Sequence, residues 1–227
     1  MIKKKKIVVA LDGPAGSGKS TIAKFLAQDL GLDYIDSGAL YRSLAYYGLT
    51  HFDLVESKED QIATHFEKNP EDLKIIYENH HQVVIFQGAK LEVEIRTPEV
   101  TKQVRYVANH SGCRDIVNQK MRDAAKHYSL VVDGRDIGTV VFPKSNNKFY
   151  LDADPVIRAT RRAKETDVPL VGPKFDQLVA DIIDRDQSDM RRSLAPLKKG
   201  KDATVIDTSD LTIDQVVSKI KEKLMGL

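Results

Sequence analysis

The chain has little of what several protein classes require. It contains one cysteine, Cys113, among 227 residues, which excludes an internal disulfide and a cysteine-based metal cluster. No apolar run reaches the length of a membrane span and no signal-peptide segment is recognisable, so we expect a cytoplasmic protein. The charges nearly cancel, with 35 basic and 33 acidic residues, so the chain as a whole has no basic excess for a nucleic acid or a membrane surface.

The exception to the charge balance is the basic run from Lys3 to Lys6. An RNA-binding protein led by such a run would also need aromatic side chains for base stacking and a basic face. Aromatic residues make up 7% of the chain and tryptophan is absent. We therefore interpret the run as a solvated lead-in to the first strand, and we expect a monomer without nucleic-acid or membrane partners.

The most informative stretch is GPAGSGKS at residues 13–20, in which a glycine and four spacers precede Gly-Lys-Ser. An apolar run precedes it and a helical pattern follows it, which is the strand–loop–helix context of a phosphate-binding loop. A chance glycine-rich turn rarely has the full spacing in this context. The predicted ATP-binding residues here are Gly13, Pro14, Ala15, Gly16, Ser17, Gly18, Lys19, Ser20 and Thr21.

The chemistry of phosphate binding accounts for these residue types. Glycines let consecutive backbone N–H groups converge on anionic oxygens, and the helix that begins here directs its positive dipole end at the same oxygens. Lys19 reaches the β- and γ-phosphates, and the Ser20 hydroxyl is a ligand for Mg²⁺.

Strands alternate with helices along most of the chain, which predicts an α/β fold with a five-stranded, doubly wound parallel sheet flanked by helices. Ends of such strands present ligands at one edge of the sheet. The predicted strands are Ile7–Leu11, Asp33–Asp36, Leu130–Val132, Phe149–Leu151 and Thr204–Ile206.

Residues 50–96 interrupt this alternation. Three short strands, Leu73–Tyr77, Val83–Phe86 and Leu91–Ile95, follow one another without helices, and Gln87-Gly88 is a hairpin signal. We predict a small antiparallel insert at 50–96, beside a core domain made of residues 1–49 and 97–227. His80-His81 is placed in a turn of the insert, as a solvent-exposed pair and not a metal site.

Helix signals complete the outline. A helix after Asp36 is predicted to end at Gly48, and Pro98 is predicted to open another with Thr97 as its cap. Near the end of the chain, the pattern predicts a helix over Phe175–Arg185 and polar, charged sequence after it.

Three arginine-bearing clusters lie at or near predicted strand ends or in loops: residues 37–42, residues 133–136 and the segment from Arg185 to Arg192. One such cluster is usually a surface salt bridge. Three of them beside a phosphate-binding loop favour an acceptor that is itself a phosphate ester, because guanidinium groups match phosphate oxygens in pairs. Asp133 ends an apolar strand and is a candidate for holding Mg²⁺ through water, although capping the next turn is also plausible for it.

These segments together resemble bacterial cytidylate kinases. The matching segments run nearly end to end in the family's order: LDGPAGSGKST at 11–21, DSGALYR at 36–42, EIRTPEV at 94–100, DGRDIGTVVFP at 133–143, Arg185-Asp186 and Ala195-Pro196-Leu197. The phosphate loop alone indicates only a P-loop nucleotide-binding protein, whereas the second and fourth segments are specific to this family. The segment at 50–96 also falls where this family carries an enlarged monophosphate-binding domain.

The resemblance implies ATP as phosphoryl donor, Mg²⁺ as cofactor, and CMP or dCMP as acceptor. It implies a catalytic role for Lys19, Arg135 and Arg192, and a lid at about 158–192 with Arg158, Arg161 and Arg162 over ATP. A solvated helix face is the alternative for those three arginines. The CMP-binding residues that it implies are Ser37, Tyr41, Arg42, Arg114, Arg135, Asp136, Arg185, Asp189 and Arg192.

One departure concerns base selection. Arg105 stands where the family usually has a serine that contacts the cytosine amino group. We expect Arg105 to turn away from the base. The sequence therefore predicts a CMP and dCMP kinase; the alternatives are a kinase for another monophosphate such as UMP, or a P-loop nucleotide switch without kinase turnover.

Overall fold

The computed structural model describes residues 6–225, so Lys3, Lys4 and Lys5 of the basic run lie outside the described residues. Within this part of the chain there are eight β-strands: β1 Val8–Asp12, β2 Asp33–Asp36, β3 Leu73–Glu78, β4 His81–Phe86, β5 Ala89–Leu91, β6 Leu130–Gly134, β7 Asn147–Asp152 and β8 Thr204–Asp207. The same residues contain eight α-helices: α1 Lys19–Leu30, α2 Ser37–Phe52, α3 Glu59–Lys68, α4 Pro98–Asn109, α5 Ser111–His127, α6 Pro155–Glu165, α7 Pro173–Arg191 and α8 Ile213–Met225.

The chain divides into two compact units, and the boundaries fall within β1, α1 and β6. Of the described residues, one unit comprises 9–26 and 133–225 and is called the P-loop unit below. The other comprises residues 6–8 and 27–132 and is called the hairpin unit. The predicted division into a core domain and a 50–96 subdomain follows different boundaries and stays a prediction.

In the P-loop unit, three parallel strands lie in the order β1-β7-β8. Asp152 is opposite Asp207, so β7 and β8 end level, and Asp12 is opposite Tyr150, so β1 ends two residues before β7 at the same edge. β1 and β7 are almost entirely buried, as expected of strands covered on both faces, whereas in β8 only Ile206 is buried. The loops that follow β1, β7 and β8 therefore emerge at one edge of this sheet, where parallel sheets present their ligands.

In the hairpin unit, the strand order is β3-β4-β2-β6, with β5 on β4. β3, β4 and β5 pair antiparallel, and Gln87-Gly88 forms the predicted turn between β4 and β5, both residues having positive φ. β4 also pairs parallel with β2 through His81 and Tyr34. The α/β class, with a mostly parallel sheet flanked by helices, is confirmed, and all five predicted strands are present.

Four local predictions were wrong. The third insert strand is Ala89–Leu91, and Glu94–Arg96 is a 3₁₀ turn instead of a strand end. His81 begins β4, and only His80 lies in the turn before it. The predicted stop at Gly48 is a helical position, and α7 continues to Arg191, so the charged segment after Arg185 is helical.

Gly48 has a packing role within the hairpin unit. A Cβ at this position would lie 2.8 Å from Ile62 Cδ1 and 2.8 Å from Val55 Cγ2. The glycine therefore allows a close approach to α2. The helix ends later, at Phe52, and Asp53, with a φ of 61°, is its left-handed cap. The predicted start of α4 is confirmed, because the Thr97 side chain accepts a hydrogen bond from Val100 N at 3.2 Å.

Among the described residues, no helix is both long enough and apolar enough to cross a lipid bilayer.

Candidate active site

The phosphate-binding loop joins β1 to α1 and has the backbone that the sequence requires. Gly13, Gly16 and Gly18 have φ of 151°, 75° and 86°, a region that side chains disfavour. At Gly13 the space is also closed, because a Cβ would lie 2.1 Å from the Leu151 carbonyl oxygen on β7. Any other residue at position 13 would push the loop away from the sheet edge.

Lys19 is 5% exposed and lies within its own loop. Its Nζ donates hydrogen bonds to the Pro14 carbonyl at 2.6 Å and to Ser17 Oγ at 3.3 Å. Burial lowers the pKa of Lys19 to about 7, and the Arg135 guanidinium acts in the same direction. The carboxylates of Asp133 and Asp12 oppose this change. An anionic phosphate at this position would favour the charged form of Lys19.

Two residues hold the loop from outside, and sequence reasoning did not single out either for this role. Asp186 on α7 accepts a hydrogen bond from Ala15 N at 3.4 Å. Thr208, directly after β8, donates through its hydroxyl to the Ser17 carbonyl at 3.3 Å. Asp186 belongs to the Arg185-Asp186 segment that resembles the family. For Thr208, the only feature of the sequence that could indicate a role is its position after a predicted strand.

The three arginines predicted for a lid over ATP differ in their surroundings. Arg158 is 3% exposed, and its guanidinium donates to the carbonyls of Ala153 and Ala15, both at 2.9 Å. Arg161 donates to the hydroxyl and the carbonyl of Thr208. Arg162 is exposed and pairs with Glu165 at 2.9 Å on the same helix. The first two therefore support the loop and its neighbourhood, while Arg162 lies on a solvated helix face.

Arg135, Asp189 and Arg192 form a second cluster in the P-loop unit. Asp189 Oδ2 accepts from Arg135 Nε at 2.8 Å, and its Oδ1 lies 3.9 Å from Arg192 NH1. Burial tends to lower the pKa of Arg135, but the charge and hydrogen bond of Asp189, together with the charges of Asp133 and Asp186, raise it. Asp189 thus orients Arg135, whereas Arg192 is held by the Ala195 carbonyl, to which its NH2 donates at 3.0 Å. Two guanidiniums and one carboxylate leave a net positive charge among these three residues. Arg185 is close enough to affect Lys19.

Asp12 fixes the turn that follows Asp136. Its two carboxylate oxygens accept hydrogen bonds from Ile137 N and Gly138 N, both at 2.7 Å. Burial raises the pKa of Asp12 to about 6, although these two bonds oppose the rise. Asp136 itself is 4% exposed and adds to the rise by charge repulsion. Asp12 therefore links the base of the phosphate loop to the segment that carries Arg135 and Asp136.

The hairpin unit carries the other predicted acceptor residues. Ser37 and Tyr41 lie on α2 and are buried. Arg42, also on α2, pairs with Asp36 at 2.7 Å, and Arg114 on α5 places its guanidinium 5.7 Å from the centre of the Tyr41 ring. Arg114 and Tyr41 are therefore neighbours, and the binding roles of the four residues stay predictions.

Arg105 is exposed, as predicted. It donates to Tyr106 Oη at 2.7 Å and lies over the same ring at 4.7 Å from its centre. Tyr106 in turn donates to Glu56 at 2.8 Å. The Arg105 side chain is thus engaged in a surface network of the hairpin unit.

Fold and site together define a class. A glycine-rich loop that follows a buried parallel strand, opens a helix and encloses a lysine is the arrangement of a P-loop nucleotide-binding protein. A crystal structure of an uncharacterized protein from Eubacterium ventriosum has a related fold, with a TM-score of 0.56, 12% identity, and coverage of 98% of this chain and 100% of that chain.

The sequence profile described as Cytidylate kinase matches residues 9–225. A cytidylate kinase from Thermosipho melanesiensis is 42% identical over 212 residues, covering 93% of this chain and 94% of that protein. A cytidylate kinase from Desulforamulus reducens is 42% identical over 219 residues, with coverage of 93% and 94%. The chain belongs to the cytidylate kinase family.

Proposed function

We propose that the protein transfers the γ-phosphoryl group of ATP to CMP and dCMP, which gives ADP and CDP or dCDP. The observation that carries this proposal is a phosphate loop with an enclosed lysine in a chain of the cytidylate kinase family. A phosphate oxygen of the acceptor forms the new bond to the γ-phosphorus, and the bond to the oxygen that bridges the β- and γ-phosphorus atoms breaks. The acceptor phosphate is already ionised at neutral pH, so the reaction needs no general base.

Catalysis then depends on alignment and on neutralisation of charge. We assign Lys19 to the β- and γ-phosphates, and Arg135 and Arg192 to the transferred group and the acceptor phosphate. The hydrogen bonds that hold Arg135 to Asp189 and Arg192 to the Ala195 carbonyl support this assignment, because preorganised donors stabilise developing charge without further rearrangement. Lys19 is the residue whose removal should be most damaging.

Mg²⁺ fits the residues of the P-loop unit. Ser20 is exposed at the start of α1, and Asp133 lies near the end of β6 with a charge that reaches Lys19. A hydroxyl oxygen and a carboxylate acting through water are hard donors, and Mg²⁺ takes its remaining ligands from nucleotide phosphates and water. When bound, the metal ion would neutralise charge on the phosphates of ATP.

The acceptor is assigned to residues of each unit. In the hairpin unit these are Ser37, Tyr41, Arg42 and Arg114; in the P-loop unit they are Arg135, Asp136, Arg185, Asp189 and Arg192. Asp136 and Arg114 are proposed to recognise the cytosine edge, Arg185 and Asp189 the sugar, and Arg42, Arg135 and Arg192 the phosphate. The arginine-to-carboxylate pairs that orient Arg42 and Arg135 support their phosphate role.

Helices α6 and α7 are proposed to form a lid over ATP that keeps water from the γ-phosphate. Arg158 and Arg161 would act in it mainly by holding the loop, as their contacts suggest, and Arg162 by reaching ATP from a solvated face. We further propose that the protein works as a cytoplasmic monomer without a nucleic-acid partner.

The test is a coupled assay of ADP release with each monophosphate in turn. We expect CMP and dCMP to give the highest kcat/KM, with UMP, AMP and GMP far lower. Preference for UMP would make the protein a kinase for another monophosphate. ATP binding without monophosphate-dependent turnover would instead favour a nucleotide switch.

A further inference from the structure

Asp36 in the hairpin unit holds two arginines at one oxygen. Its Oδ2 lies 2.7 Å from Arg42 NH2 and 3.5 Å from Arg96 NH2. Arg42 comes from α2, whereas Arg96 ends the 3₁₀ turn after β5. Two guanidinium groups therefore converge on one carboxylate, which can neutralise only one of them.

Asp36 is itself held in place. Its backbone N–H donates to Gln82 Oε1 at 2.7 Å, and its Oδ1 accepts from Ala39 N at 3.1 Å as the cap of α2. Gln82 lies on β4. Because its backbone N–H and its Oδ1 are both held by hydrogen bonds, the position of Oδ2, which faces the two arginines, is fixed too. The segment 50–96 thus contributes Gln82, which supports Asp36, and Arg96, which joins Arg42 there.

The two arginines differ in how firmly they are bound. Arg42 has a short contact and a side chain that is 17% exposed, whereas Arg96 has a long contact and is 60% exposed. A long, exposed ion pair contributes little, so Arg96 leaves Asp36 at small cost. Glu94, the acidic residue of the 3₁₀ turn, accepts a hydrogen bond from Glu92 N at 3.1 Å. Arg42 and Arg96 thus keep an excess positive charge beside the start of α2. The N-terminal end of a helix also favours an anion.

We propose that Arg96 is a second phosphate-binding arginine for the acceptor in the hairpin unit, presented beside Arg42 by their shared carboxylate, Asp36. The ligand chemistry is a phosphate monoester dianion, which two guanidiniums match better than one. This inference rests on the proposed function, since it concerns the phosphate of the CMP that the protein phosphorylates.

The test compares Arg96→Ala and Arg96→Lys with Lys90→Ala, which removes one positive charge from the exposed hairpin of the same segment. Steady-state kinetics give KM for CMP and for ATP separately. Cytidine, which has no phosphate, is measured as a competitor against CMP. We expect Arg96→Ala to raise KM for CMP about tenfold, the effect of losing one hydrogen bond to a charged group. KM for ATP and inhibition by cytidine should stay unchanged.

Arg96→Lys should recover part of the loss, because it keeps the charge without the paired donors. Lys90→Ala should behave like the wild type. An unchanged KM for CMP in Arg96→Ala would overturn the inference, as would an equal loss for cytidine and CMP, which would indicate a structural role. If the wild type did not phosphorylate CMP at all, the proposed function would fail first, and that result is distinguishable from a failure confined to Arg96.

Discussion

Arg158 and Asp186 form a salt bridge of 2.6 Å between α6 and α7, and both side chains are less than one-tenth exposed. Each partner also touches Ala15 of the phosphate loop, Arg158 at the carbonyl and Asp186 at the backbone N–H. The ion pair therefore ties two helices of the P-loop unit to the loop that receives the nucleotide.

Breaking this ion pair should destabilise the protein. In Arg158→Ala the buried Asp186 carboxylate loses its partner, and the expected loss is about 3–5 kcal/mol in the free energy of unfolding. Arg162→Ala is the matched control, since Arg162 has an exposed ion pair worth at most about 1 kcal/mol. Urea unfolding of the two variants measures the difference. Equal stabilities would mean that the Arg158 contacts do not hold the loop.

Replacing Lys19 should separate catalysis from stability. Lys19→Met keeps much of the side-chain volume but removes the charge, and we expect kcat to fall by at least about 10²-fold, the usual effect of losing one transition-state contact. The folded-state pKa of Lys19 is lowered to about 7 from 10.5, mainly by burial. The contribution of Lys19 to the free energy of unfolding is therefore fully present above pH 10.5. It decreases as pH falls below 10.5 and is lost as pH falls through 7.

It follows that the ligand-free Lys19→Met variant should have a higher Tm than the wild type at pH 6, and that this advantage should shrink towards pH 10. Thermal unfolding at several pH values measures it. Wild-type turnover in the variant would refute the mechanism. An advantage that grew with pH would instead contradict the electrostatic account of Lys19.

Arg135→Lys should impair use of CMP far more than binding of ATP. Lysine keeps the charge that Lys19 experiences but cannot reproduce the hydrogen bond from Arg135 Nε to Asp189 or the paired donors that we propose for the phosphate. We expect kcat/KM for CMP to fall about 10- to 100-fold, as for a lost charge-assisted hydrogen bond. ATP affinity, from calorimetry, should be nearly unchanged. Arg191→Lys, on an exposed position of α7, serves as the control, and parallel loss of both affinities in Arg135→Lys would point to a purely structural role.

Arg105→Ser should leave base selection nearly unchanged. Arg105 is occupied with Tyr106 on the surface, so we expect the ratio of kcat/KM for CMP to that for UMP to change less than about threefold, below the typical effect of one hydrogen bond. The ratio is measured for both proteins under the same conditions. If the wild type preferred UMP and Arg105→Ser restored a preference for CMP, Arg105 would have to contact the base. The substrate that we propose would then be wrong.

Local patterns predicted much of the fold. The glycine spacing of the loop, the five strands, the Thr97 cap and the Gln87-Gly88 turn all depend on neighbouring residues, and the structure contains each of them. Helix ends were less predictable. Gly48 is an example, because it does not end the helix. The absence of a side chain at this position lets Ile62 pack against α2.

The contacts that hold the phosphate loop could not be predicted in the same way. Arg158 meets Ala15 across 143 residues of sequence, and Thr208 meets Ser17 across 191. An arginine on a helix with other arginines has the pattern of a solvated face, and only packing distinguishes the buried Arg158 from the exposed Arg162. Binding roles for the predicted acceptor residues stay predictions for the same reason, since they depend on a ligand.

The most direct measurement follows a labelled phosphoryl group. ATP labelled at the γ-phosphate is incubated with CMP, Mg²⁺ and the enzyme, and the products are separated. The account predicts that the label appears in the β-phosphate of CDP, one for each ADP formed, and that Lys19→Met abolishes this transfer. Label released as inorganic phosphate, with CMP unchanged, would contradict it.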